Sequence, residues 1–176
     1  MKQRMCSLFL ALVLLLSLSV PAAAAGTLPF TDVKESDWFY SYVKTMYDNE
    51  LVSGTTPTTF SPQDTVTLGE ALKFVLNAAG YTAPTTSGKN WASGYYQLAQ
   101  EKGFLNSSWS LGLNDAMNRL QIAELIVNVL GVERKQQTAS PFTDTSDVAA
   151  LILSDHGIFE GTTERDGKTY FYPQRN

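Results

Sequence analysis

Pro29-Phe30-Thr31-Asp32 recurs as Pro141-Phe142-Thr143-Asp144, 112 positions further on, and self-similarity on that scale confines the chain to architectures built from stacked units. A middle copy lies between them. Trp38 and Trp91 each stand 13 residues before an apolar pair, Leu51-Val52 and Phe104-Leu105, and the third pair is Ile158-Phe159. Gly54 and Gly161 follow at one offset, with Ser107 in the middle copy. Phe60-Ser61-Pro62-Gln63 returns as Phe171-Tyr172-Pro173-Gln174, degraded to Leu111-Gly112-Leu113-Asn114 between them. The units are read as 29–80, 88–131 and 141–176, joined by the polar linkers Thr82–Lys89 and Glu133–Ser140.

Each unit is predicted to be helix, loop, helix. Trp38, Tyr42, Val43, Met46 and Tyr47 make one apolar stripe at helical spacing. Thr67 with Glu70 is a capping box, and Asn118 with Gln121 a weaker one. Ala71, Leu72, Phe74, Val75 and Ala78 form the expected buried face behind the first box, and Ile122, Leu125, Ile126 and Val129 that behind the second. Gly80 and Gly131 sit where a left-handed residue ends a helix, as Gly103 and Gly157 do after the first helices. Asp166-Gly167 signals a two-residue hairpin in the third unit. A lone helix pair cannot cover its own apolar face, so the units must cover one another. The expected fold class is all-α. A pseudo-threefold ring and a short solenoid both satisfy this.

The third unit stops at Asn176, before a second helix begins, which predicts uncovered apolar surface at Val148, Leu151, Ile152 and Ile158 and self-association through it. At the other end, Met1–Ala25 reads as a signal peptide. Lys2 and Arg4 precede an apolar run from Leu8 to Val20, and Ala23-x-Ala25 predicts cleavage before Gly26. The run is shorter than the ~20 residues of a spanning helix, which argues against an uncleaved anchor. Cys6, the only cysteine, precedes that run, so a secreted product contains no thiol.

Without Lys2 and Arg4, 11 basic residues face 17 acidic ones, a net charge of −6. Such a balance, with no basic stripe, excludes a general nucleic-acid binder. Catalysis is not expected: His156 is the only histidine, no nucleophile elbow accompanies it, and Glu164-Arg165-Asp166-Gly167 lacks calcium-loop spacing. No cofactor or metal is expected.

The order Phe-x-Asp, Trp, apolar pair with Gly, Phe-x-Pro and capped helix resembles the S-layer homology family, whose tandem repeats anchor proteins to bacterial cell walls. The resemblance implies a secreted protein at the cell surface, bound to a secondary cell-wall polysaccharide, often pyruvylated, that is linked to peptidoglycan. The family's second helix opens Thr-Arg-Ala-Glu, its Arg contacting the anionic polymer. Thr67-Leu68-Gly69-Glu70 has lost that Arg, and Asn118-Arg119-Leu120-Gln121 keeps it as Arg119.

Arg119 is therefore the first site candidate, with a solvated surface arginine as its plain alternative. Trp38 and Trp91 could stack on sugar rings, although tryptophan on an apolar stripe belongs more often to a core. Trp109, in a loop, is expected to be exposed. Gly54 and Gly161 would let a glycan approach the backbone, or simply form positive-φ turns. Asp32 and Asp144 would bond sugar hydroxyls, or cap the adjacent turn or helix. Phe30, Phe60, Phe142 and Phe171 are read as core anchors. A second reading keeps the fold as a structural or protein-interaction module that has lost its glycan site.

Overall fold

The structure is a computed structural model that describes residues 27–85, 88, 90–135 and 139–175. The signal-peptide segment and Cys6 lie outside the described residues. Five helices form: α1 Tyr40–Asp48, α2 Leu68–Ala78, α3 Ser93–Glu101, α4 Arg119–Leu130 and α5 Val148–Asp155. An antiparallel ribbon pairs β1, Thr162–Thr163, with β2, Thr169–Tyr170. The described chain is thus mostly helical. No helix among the described residues is long and apolar enough to cross a membrane.

The capped helices account for every N-terminal amide that helical geometry leaves unpaired. At α2, Glu70 Oε2 accepts the Thr67 N–H at 2.9 Å, and Thr67 Oγ1 accepts that of Glu70 at 3.4 Å. The two amides between them, Leu68 and Gly69, donate to the carbonyls of Asp115 and Leu113 at 3.0 and 2.9 Å. The arrangement repeats at α4. Asn118 and Gln121 exchange bonds of 2.9 Å, while Arg119 and Leu120 donate to Arg175 and Pro173 at 2.8 and 3.0 Å. Helices α2 and α4 are therefore each finished by a loop 44 to 56 residues further along the chain. Gly69 permits the close fit, since a Cβ there would lie 2.9 Å from Ala92 Cβ and 3.1 Å from the Leu113 oxygen.

Helix α2 packs on α3 and α4, and α4 on α5. Leu68, Leu72, Leu76, Ala99, Met117 and Leu125 fill the first interface. Ala123, Phe142, Ala150, Leu153 and Phe171 fill the second. Helix α1 packs on no other described helix; Phe30, Val33 and Val43 form a local core with Tyr47 and Phe60.

Several expectations need correction. Helix α1 begins at Tyr40, so Trp38 precedes it, and Trp38 and Tyr42 are exposed because no neighbouring helix covers that side. Only Val43 of the predicted stripe is buried. On α2 the buried line is Leu68, Ala71, Leu72 and Leu76; Phe74 and Val75 are half-buried and Ala78 is exposed. On α4, Leu125 and Val129 are buried, joined by Ala123, which the periodicity missed; Ile122 and Ile126 are half-buried. Phe60 is half-buried rather than a full core anchor. The hairpin forms, but around three residues: the Glu164 N–H meets the Lys168 carbonyl at 2.9 Å, and Gly167, at φ 75°, donates back to Glu164. Val148 and Ile158 are exposed as expected, whereas Leu151 and Ile152 are buried, Leu151 within the core that α5 shares with α4.

Candidate functional site

Beside α2, between the 52–66 loop and the segment ahead of α3, a groove of about 420 Å³ opens. Ser53, Gly54 and Thr55 line one wall, Glu70 and Lys73 come from α2, and Trp91 stands at the start of the next unit. Lys73 Nζ donates to Ser53 Oγ at 3.1 Å and lies 5.9 Å from the Trp91 ring centroid. Glu70 spends Oε2 on the Thr67 amide and hydroxyl, at 2.9 and 2.8 Å. Trp91 is 60% exposed. The burial expected of it fails: the indole precedes α3 and lies beside Gly69, where an added Cβ would come within 3.8 Å of its Cζ2. The ammonium of Lys73, the hydroxyl residues Ser53, Thr55, Ser61 and Thr65, the acidic residues Asp64 and Glu70 and the exposed indole of Trp91 thus line one concave surface, a chemistry suited to a polar ligand with apolar faces.

Arg119 lies at the second seam. Its guanidinium sits 4.7 Å from the Phe159 centroid and 5.1 Å from that of Phe171. Its Nε is buried without a hydrogen-bond partner among the described residues. Burial, and after it the charge of Arg175, holds its pKa below the ordinary arginine value. It is half-buried rather than a solvated surface arginine, and makes no ion pair among the described residues.

The remaining candidates occupy structural positions. Asp32 accepts the Phe60 and Ser61 N–H groups at 2.9 and 2.7 Å, and Asp144 those of Phe171 and Tyr172 at 2.8 and 2.7 Å. Each therefore staples its own start to a loop 28 or so residues later, not to an adjacent turn or helix. The Phe60 amide bond, ahead of that from Ser61, keeps the Asp32 carboxyl below its usual range. Gly54 and Gly161 have φ of 74° and 75°; a Cβ at either would meet Phe30 or Phe142 at 2.5 and 2.7 Å. The space beside each is filled by a ring of its own unit. Trp38, 83% exposed, lies outside the groove. Trp109 is half-buried, against expectation, because Glu124 Oε2 accepts its Nε1–H at 2.9 Å.

Of the candidates, Gly54 and Trp91 share the groove, while Arg119, Asp144 and Gly161 belong to the loops and seam of the third unit. Sequence reasoning missed Lys73, Ser53 and Thr55. The signal that could have found Lys73 was the cation absent at Leu68, for which a replacement elsewhere on α2 was the place to look.

The S-layer homology domain family matches residues 29–72, the stretch that holds Asp32, Gly54 and the cap of α2. This chain carries an S-layer homology domain. Its relatives include an endoglucanase from Bacillus sp. (strain KSM-635), 32% identical over 97% of this chain and 20% of the relative. The middle cell wall protein of Brevibacillus brevis is 34% identical over 61% of this chain and 10% of its own length. The surface-layer 125 kDa protein of Lysinibacillus sphaericus is 28% identical over 80% and 13%. The chain spans a fifth or less of the length of these curated relatives. The S-layer homology domain contributes to the groove everything except Lys73, Phe74 and Trp91.

Proposed function

We propose that this chain is a non-catalytic anchoring protein whose S-layer homology units grip a secondary cell-wall polysaccharide at their seams. Its place is at the cell wall or cell surface, as for its wall-protein and surface-layer relatives. The observation that carries the reading is the convergence of Lys73, Ser53, Thr55 and the exposed Trp91 on one groove. The indole would take a sugar's C–H face, the hydroxyls its polar edge, and the ammonium an anionic substituent. Arg119 with Arg175 would take a carboxylate or pyruvyl ketal at the second seam, where the half-buried Arg119 has no ion pair among the described residues.

The four-amide arrangement at α2 and α4 supports reading 88–131 and 141–176 as further, divergent units in a pseudo-threefold set, and Val148 and Ile158 as surface for self-association. The endoglucanase is similar to this chain over only a fifth of its own length, and its activity is not carried over. Among the described residues no group of three or more His, Cys, Asp and Glu side chains is placed to hold a metal.

The test is retention of the protein on purified walls before and after the secondary polymer is extracted. Loss of retention on stripped walls is the expected result; equal retention contradicts it. A second reading, an interaction module without glycan binding, draws on Leu68 standing where the family has Arg and on the rings that occupy the Arg119 guanidinium. Arg119→Ala separates the two: unchanged wall binding in a folded variant favours the interaction module.

A further inference from the structure

The loop that lines the groove in the first unit has a counterpart in the third with different chemistry. Thr59, Ser61 and Asp64 in the first unit correspond to Tyr170, Tyr172 and Arg175, counting from Phe60 and Phe171. The backbone frame is shared: Ser61 and Tyr172 have φ of 63° and 58°, and each donates its N–H to the aspartate of its own unit. A bulky residue pays more for that left-handed conformation than serine does, yet tyrosine occupies it.

Tyr172 and Tyr170 stack with centroids 5.6 Å apart and planes at 21°, and the Arg175 guanidinium lies 5.0 Å from the Tyr172 centroid. The segment from Gly161 to Phe171 is four residues longer than that from Gly54 to Phe60, and it contains the two carboxylates that fix the stack. The Tyr172 hydroxyl donates to Glu164 Oε1 at 2.7 Å, and that of Tyr170 to Asp166 Oδ2 at 2.8 Å. These bonds raise the pKa of both phenols, and the Lys168 amide, with Tyr170 second, lowers that of Asp166. Glu164 and Asp166 are exposed, and both tyrosines are half-buried.

Nearly parallel rings in contact leave no slot between them for a cationic ligand, and Arg175 already provides a cation for Tyr172. What remains is a hydrogen-bonded aromatic stack beside exposed carboxylates, each with about four acceptor positions and only partly used. We propose that the ribbon of the third unit is a further saccharide-binding surface, in which the Tyr170–Tyr172 stack takes the apolar face of a sugar ring and Glu164 and Asp166 accept its hydroxyls. The inference rests on the wall-polysaccharide reading. It gives the chain one more contact with a polymer strand, beyond the groove at Trp91 and the seam at Arg119.

The experiment compares the full chain with Tyr170→Thr/Tyr172→Ser, which installs the residues that the first unit carries on the same frame. Polysaccharide released from purified cell walls is the probe, read by calorimetry and by NMR of the tyrosine rings. Ring shifts at Tyr170 and Tyr172 in the parent, with affinity falling about tenfold in a variant of unchanged melting temperature, support the surface. Binding that leaves those rings unshifted, or is equal in the two proteins, overturns this inference and spares the groove. No binding by the parent overturns both. If the double variant melts early, the ring shifts of the parent alone decide.

Discussion

Asp32 and Gly54 lie far apart in the chain and hold the same loop from opposite sides. The carboxylate of Asp32 binds two loop amides, and Gly54 yields the space that Phe30 occupies. Gly54→Ala combines a left-handed backbone with a 2.5 Å clash and is expected to cost about 2–4 kcal/mol. Gly80→Ala, with φ 79° and open space around it, is expected to cost about 1 kcal/mol, so denaturant unfolding of the pair separates packing from backbone strain. Asp32→Asn tests the staple through pH. Because the folded carboxyl titrates below the usual value near 3.9, its stabilisation is complete above that pH and disappears as acid protonates the folded form. The variant is expected to melt earlier at pH 7, and the gap to narrow below about pH 4. A constant gap would mean that the charge plays no part. The recurring Phe-x-Asp and Gly were legible as landmarks. Their partners were not, since nothing local pairs Asp32 with amides 28 and 29 residues away.

At the scale of the element, the capped helices were the most legible part of the chain, because a capping box declares itself within four residues. Thr67→Ala is expected to cost about 1 kcal/mol, and Asn118→Ala more, since the Asn118 amide also donates to Gln174 Oε1 at 3.1 Å across the seam. Equal costs in thermal unfolding would show that the seam bond adds nothing. Helix α1 was read less well. Its periodicity runs through Trp38 and Tyr42, but periodicity reports a face, not whether a neighbour covers it, and no described helix covers this one. Leu76 was missed on α2 for a related reason: it is buried in the core that α2 shares with both α3 and α4, and a single helix's periodicity does not show a second neighbour.

Across the whole molecule, the seams join the packed helices and carry the proposed binding site. Each seam is made where a capped helix hands its free amides to the loop of the next unit, and the groove is what the two surfaces leave open beside that contact. The repeat pattern announced that such seams must exist. It named Trp91 but could not show that Lys73, which sits at no repeat landmark, lies beside it across the groove. The central claim is that this groove holds wall polysaccharide, and equilibrium binding of the Lys73→Ala/Trp91→Ala variant to purified walls tests it most directly. Neither side chain is buried in the core, so the variant is expected to keep the parent's melting temperature and lose at least about tenfold in affinity. A folded variant that binds walls as tightly as the parent would contradict the account.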